Sequence, residues 1–283
     1  MIYVLSTYAH VDPFSARQRI VVIGNANSAN EMAAQLAPVA QLPVYRSTRR
    51  VSIFPSLPDD RIEDVGPVLR YSRSANKNIT VHLGDRTIDD VDYVLFGTGY
   101  CPEVPYLRVL EPAVTSASNL KKEPRSLVPL TDRRVQPVRV PRLYRHVLYA
   151  HNTSLAFIGA LVSFIPFAMA DLTSTWLALV WSPPRGIDVP PTIEARLADE
   201  QARLQTLHQL RSETDNPSDL VSFHFLGRYE LPYAQEARAE ITRAAPELGD
   251  VLAPWDDEQD TRRFAMYGTK LDSLYALAGG KKE

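Results

Sequence analysis

The stretch that most constrains the fold is RIVVIG at residues 19–24, a short β-branched run that ends on Gly24. A run of this length without polar alternation predicts a strand buried on both faces, as in a parallel sheet. Gly24 predicts a tight turn. Residues 31–37 (EMAAQLA) are good helix formers and stop at Pro38, which predicts a helix. Residues 44–49 (VYRSTR) predict the next strand. Strand, turn, helix and strand fit within about 30 residues, the size of one βαβ unit. The fold class expected is therefore α/β, with a Rossmann-like domain near the N-terminus.

Such a unit presents the N-terminus of a helix beside the end of a strand. First-turn amides lack intrahelical partners and carry partial positive charge, so a diphosphate gains hydrogen bonds there without a lysine. The usual fingerprint is G-x-G-x-x-G; this chain has Gly24-x-Ala26-x-x-Ala29. The first glycine is present where the turn needs it. A methyl at Ala26 crowds the diphosphate, and one at Ala29 loosens helix–strand contact. Gly24, Asn25, Ala26, Asn27, Ser28 and Ala29 are the candidates to approach a dinucleotide diphosphate. An NAD site carries an acid about 20 residues further on. Here that region reads Arg46-Ser47-Thr48-Arg49-Arg50, without a carboxylate. Guanidinium and hydroxyl groups suit a 2′-phosphate, so the cofactor expected is NADP(H), with Ser47, Thr48 and Arg49 at that phosphate. A strand-turn-helix without ligand, with a solvated basic strand end, is the alternative.

Further strands are expected at 78–83 and 91–96, the latter running into Gly97-Thr98-Gly99-Tyr100. The proline-rich segment 102–141 reads as surface connections. Residues 155–181 are apolar enough to suggest a membrane span, but Pro166, Asp171 and a cluster of hydroxyl residues lie inside. A strand at 155–159 followed by a buried helix is the preferred reading, with Asp171 as that helix's cap. Residues 193–210 carry helical spacing. A formal net charge of −2 gives no global positive field for nucleic acid. One cysteine, Cys101, excludes an internal disulfide framework and fits a reducing, cytoplasmic location. Residues 1–14 lack the pattern of a signal peptide. The histidines, among them His10, His82, His146 and His151, are scattered and read as structural or exposed, and no metal-ligand spacing is present.

Taken together, IVVIGNANSANEMA at 20–33, VYRSTR at 44–49, DYVLFGTGY at 92–100, LAFIG at 155–159 and LTSTWLALVW at 172–181 resemble, in order and spacing, the flavin-containing monooxygenases. YAHVDPF at 8–14 resembles the segment that leads into the family's NADPH domain. The resemblance implies an NADPH domain inserted into an FAD domain: residues 15–91 as the NADPH-binding Rossmann-like domain, 92–185 as the C-terminal part of the FAD-binding domain, and 186–283 as a helical extension. It places Thr98, Gly99 and Tyr100 near the meeting of the two cofactors. It implies NADPH- and FAD-dependent oxygenation of a nucleophilic nitrogen or sulfur in a small molecule, in the manner of N,N-dimethylaniline monooxygenase. The family opens with a separate FAD-binding glycine fingerprint far upstream, whereas 23 residues precede Gly24. The expectation is an N-terminally truncated form with an incomplete FAD site. A catalytically inactive NADP(H)-binding module, or a remnant that depends on a partner, is the alternative.

Overall fold

The computed structural model describes residues 2–4, 17–50, 59–73, 78–110, 126–182, 186–213 and 222–277. The likeness at 8–14 and His10 lie outside these residues. The first elements are β1 (Ile2–Val4), β2 (Ile20–Ile23), α1 (Asn27–Leu36), β3 (Val44–Ser47), β4 (Ile62–Val65), β5 (Arg70–Arg73), β6 (Ile79–His82), β7 (Thr87–Val91) and β8 (Tyr93–Phe96). There follow β9 (Arg108–Leu110), β10 (Leu127–Pro129), β11 (Leu143–Tyr144), β12 (Leu148–Tyr149), α2 (Pro166–Val180), α3 (Ile193–Ser212), α4 (Glu230–Ala244) and α5 (Asp257–Leu277). The chain divides into two compact units, residues 1–100 with 264–283, and residues 101–263.

The first unit is built on a five-stranded sheet ordered β1-β8-β2-β3-β4, parallel at every pairing. The α/β class expected from the sequence is the one observed. The unbroken apolar run of β2 has a simple cause. Ile20 and Val22 face α1, packing with Ala29, Ala33, Leu36, Val44 and Leu95. Val21 packs on the opposite face with Val81, Leu83, Ile88, Val91 and Val94. That second face is covered by an antiparallel sheet, β5-β6-β7. Both sides of β2 are thus dry, and polar alternation would bury unpaired groups. Helix α1 starts at Asn27, earlier than its apolar residues suggest, because Asn27 and Ser28 form its first turn.

In the second unit, α2 packs on α4 through Met169, Leu172, Trp176, Ala234, Ala237 and Ile241. Pro166 does not interrupt this helix but opens it at the first helical position. There a missing N–H goes unneeded and the fixed φ is already helical. Asp171 therefore is not a cap. It lies within α2 and is exposed, and Ile165 holds the N-cap position. Nor are residues 155–159 a strand: only Ala156 makes a bridge, to Leu148. Asn152 accepts from the backbone and hydroxyl of Ser154, which closes a turn. Leu155 and Phe157 then pack on the cluster around Leu143 and Tyr149. Among the described residues no helix is long and apolar enough to cross a membrane.

Candidate functional site

Parallel strands end together, and the turn after β2 emerges at the carboxyl edge of the sheet, where α/β folds bind ligands. Gly24 has φ +122°, a left-handed conformation that favours glycine. A Cβ on it would also lie 2.5 Å from the carbonyl oxygen of Gly97. Its N–H donates to Ser47 O at 2.9 Å, while Gly97 N–H donates to Ile23 O at 2.8 Å. The ends of β3, β2 and β8 are thereby stitched side by side.

Gly97 explains how Ala29 is tolerated at the third fingerprint position. A Cβ on Gly97 would sit 2.8 Å from the N, Cα and Cβ of Ala29. The close helix–strand approach is kept, and the glycine it requires stands on β8's end rather than on α1. Ala29 is fully buried, so the expected loosening does not occur. Ala26 occupies the N-cap of α1 with extended backbone, φ −90° and ψ −177°, which suits alanine. It has no side chain able to accept from the first-turn amides, and that turn holds no acidic residue. Its methyl is exposed, on the end of the helix where an anion would approach.

The two segments assigned by sequence to one ligand are brought together. The side-chain amide of Asn25 donates to the carbonyl of Arg50, tying the turn after β2 to the chain after β3. Thr48 N–H donates to Val65 O at 2.9 Å. Ser47 is buried and its hydroxyl donates to Gly66 O at 3.0 Å, which commits its proton to the fold. Arg49 is exposed. Arg46 is not a ligand candidate: it is 6% exposed. Its Nε and Nη2 donate to Asp64 at 2.6 and 2.7 Å and its Nη1 to Asn30 Oδ1 at 2.8 Å. Thr98, Gly99 and Tyr100 follow β8 and are all exposed, Tyr100 to 75%.

The sequence assigns no role to Gly97 or Asn30, and places Arg46 only within the basic segment suited to a phosphate. The glycine that closes VLFG was a usable signal, because a strand ending in glycine beside a glycine turn permits close approach. No local signal marks the other two, whose partners come from neighbouring elements. The buried histidines sit apart, in the second unit. His224 Nε2 accepts from Val140 N–H at 3.0 Å, and its Nδ1 lies 3.2 Å from that of His146. Burial holds both below the usual histidine range, His224 at about 4, as expected of structural groups.

No family model matches the chain. It is 27% identical over 175 residues to thiol-specific monooxygenase of Saccharomyces cerevisiae, a match covering 59% of this chain and 36% of that protein. Its fold resembles that of Tmm from Pelagibacter sp. strain HTCC7211, with a TM-score of 0.56 and 18% identity over 84% of this chain and 45% of that one. The chain thus matches less than half the length of either protein. The resemblance read from the sequence is borne out at family level: this chain is similar to the flavin-containing monooxygenases.

Proposed function

We propose that the chain serves a flavin-dependent monooxygenase reaction, with its first unit holding NADP(H) and a nucleophilic sulfur or nitrogen as the oxygenated centre. The name of the yeast relative favours sulfur. The observation that carries the reading is the fitted contact of Gly24, Gly97 and Ala29. It brings the end of α1 close against the ends of β2 and β8, and the Asn25–Arg50 bond ties the basic segment to the same turn. A diphosphate approaching this end of α1 takes the amides of Asn27 and Ser28 as donors, and the exposed Arg49 meets the 2′-phosphate. NADPH supplies a hydride. The chain's own residues bind and orient it, and Tyr100 flanks the outlet of the same sheet edge. For FAD, the described residues offer no second strand followed directly by a glycine turn and a helix. The flavin therefore rests on family likeness.

The test is calorimetric titration of the chain with NADP⁺ and with NAD⁺. NADP⁺ binds more tightly, and Arg49→Ala reduces its affinity about tenfold while sparing NAD⁺, the size of one lost charge-assisted contact. Equal affinities for the two nucleotides, before and after the substitution, would remove the assignment.

A further inference from the structure

Arg46 lies on β3 and turns under the first turn of α1. Asp64, its neighbour across the parallel ladder, takes two of its donors and balances its charge. The third donor goes to Asn30. Asn30 is itself 6% exposed, and its backbone N–H makes the first intrahelical bond, to Ala26 O at 3.0 Å. It therefore directly follows the first-turn amides at the helix end. A side chain held from the sheet at this point fixes both the rotation and the height of that end.

The choice of asparagine is informative. Aspartate at this position would bond a guanidinium more strongly and suit the positive end of a helix. It would also avoid the side-chain nitrogen of Asn30, which is buried without a hydrogen-bond partner, an arrangement that costs stability. A carboxylate at this buried position would, however, lack a counter-charge, because Asp64 already balances Arg46, and the first turn of α1 is free of acid. A carboxylate there would stand against any phosphate bound at the helix end. An amide ties down Arg46 without adding that charge.

We infer that Asn30 and Arg46 are a positioning pair for the anion-binding turn, in which Asn30 is the neutral link between the sheet and the helix end. The inference rests on the NADP(H) reading above. It is tested in the full chain by measuring NADP⁺ affinity and melting temperature for Asn30→Asp, Asn30→Ala and Asn30→Ala with Arg46→Met. Asn30→Asp weakens NADP⁺ binding about tenfold, and raising the ionic strength narrows that gap to the wild type, which a merely structural defect does not produce. Asn30→Ala weakens binding several-fold, and adding Arg46→Met costs little further affinity, because the two residues act through one contact. Both single variants leave the Arg46–Asp64 pair in place, so they decide the matter even where the double variant fails to fold. Affinity that Asn30→Asp leaves unchanged overturns the inference alone. A wild-type chain that does not bind NADP⁺ overturns the reading beneath it.

Discussion

The two units satisfy their buried backbone in different ways. In the first, β2, β3 and β8 find their partners in a parallel ladder, and the surrounding core is Ile, Val, Leu and Ala. In the second, irregular segments are answered by charged side chains. Arg203 donates to the carbonyls of Ser222, Phe223 and Phe225, and Arg196 to those of Ala150 and Pro190. Asp199 and Glu200 accept the backbone N–H groups of Arg145 and Arg142. Those two residues and His146 hold left-handed φ values of 52°, 63° and 59°, uncommon for residues with a Cβ. Tyr233 fixes the same corner through a bond to Arg145 O at 2.9 Å. Buried backbone groups must be paired in either case. A ladder does it with close, regular neighbours, whereas the second unit depends on individual side chains far away in sequence.

The contrast predicts where each unit is fragile. The largest effect is expected from Gly97→Val, which drives a side chain into the backbone of Ala29. Overpacking against atoms that cannot rotate away costs about 3 kcal/mol, read by urea unfolding, and abolishes NADP⁺ binding. A tolerated valine would mean that the helix–strand fit is not the critical contact of the first unit. Next comes Arg203→Met, which keeps the apolar stem but strands three carbonyls; the loss is about 2 kcal/mol. All three tryptophans, Trp176, Trp181 and Trp255, lie in the second unit, so their fluorescence reports it directly. An unchanged midpoint would show that guanidinium groups are not what holds the irregular segments.

The smallest effect is a pH dependence. Val140 N–H donates to His224 Nε2, so that nitrogen is unprotonated and the proton sits on Nδ1, facing His146. Burial, then Arg139 and Arg203, push His224 down to about 4 from an ordinary 6.5. The unfolded chain takes up the proton first, so this contribution to stability is full above pH 6.5 and falls as pH drops towards 4. His224→Gln keeps an acceptor for Val140 and flattens the melting profile across that window. A slope that persists unchanged would place the titration elsewhere.

The same contrast governs what the sequence made legible. The β2–Gly24–α1–β3 order could be read because every element signals itself within a few residues. Arg46 was grouped with Arg49 among basic residues suited to a phosphate, yet it is buried, since its partner Asp64 lies 18 residues on and on another strand. Residues 155–159 have a strand's composition but lack a strand's neighbours. The cap expected at Asp171 follows from a helix start placed too late, since α2 opens at Pro166 and Asp171 is an exposed residue within it. For Arg46 and for residues 155–159 the deciding partner is distant, and local pattern carries no trace of it.

The most direct test of the diphosphate site is an amide ¹H–¹⁵N titration of the full chain with NADP⁺. The signals of Asn27 and Ser28 are expected to move on binding, and those of Thr48 and Arg49 to move with NADP⁺ but not with NAD⁺. Shifts confined to other parts of the chain, or none at saturating nucleotide, would contradict it.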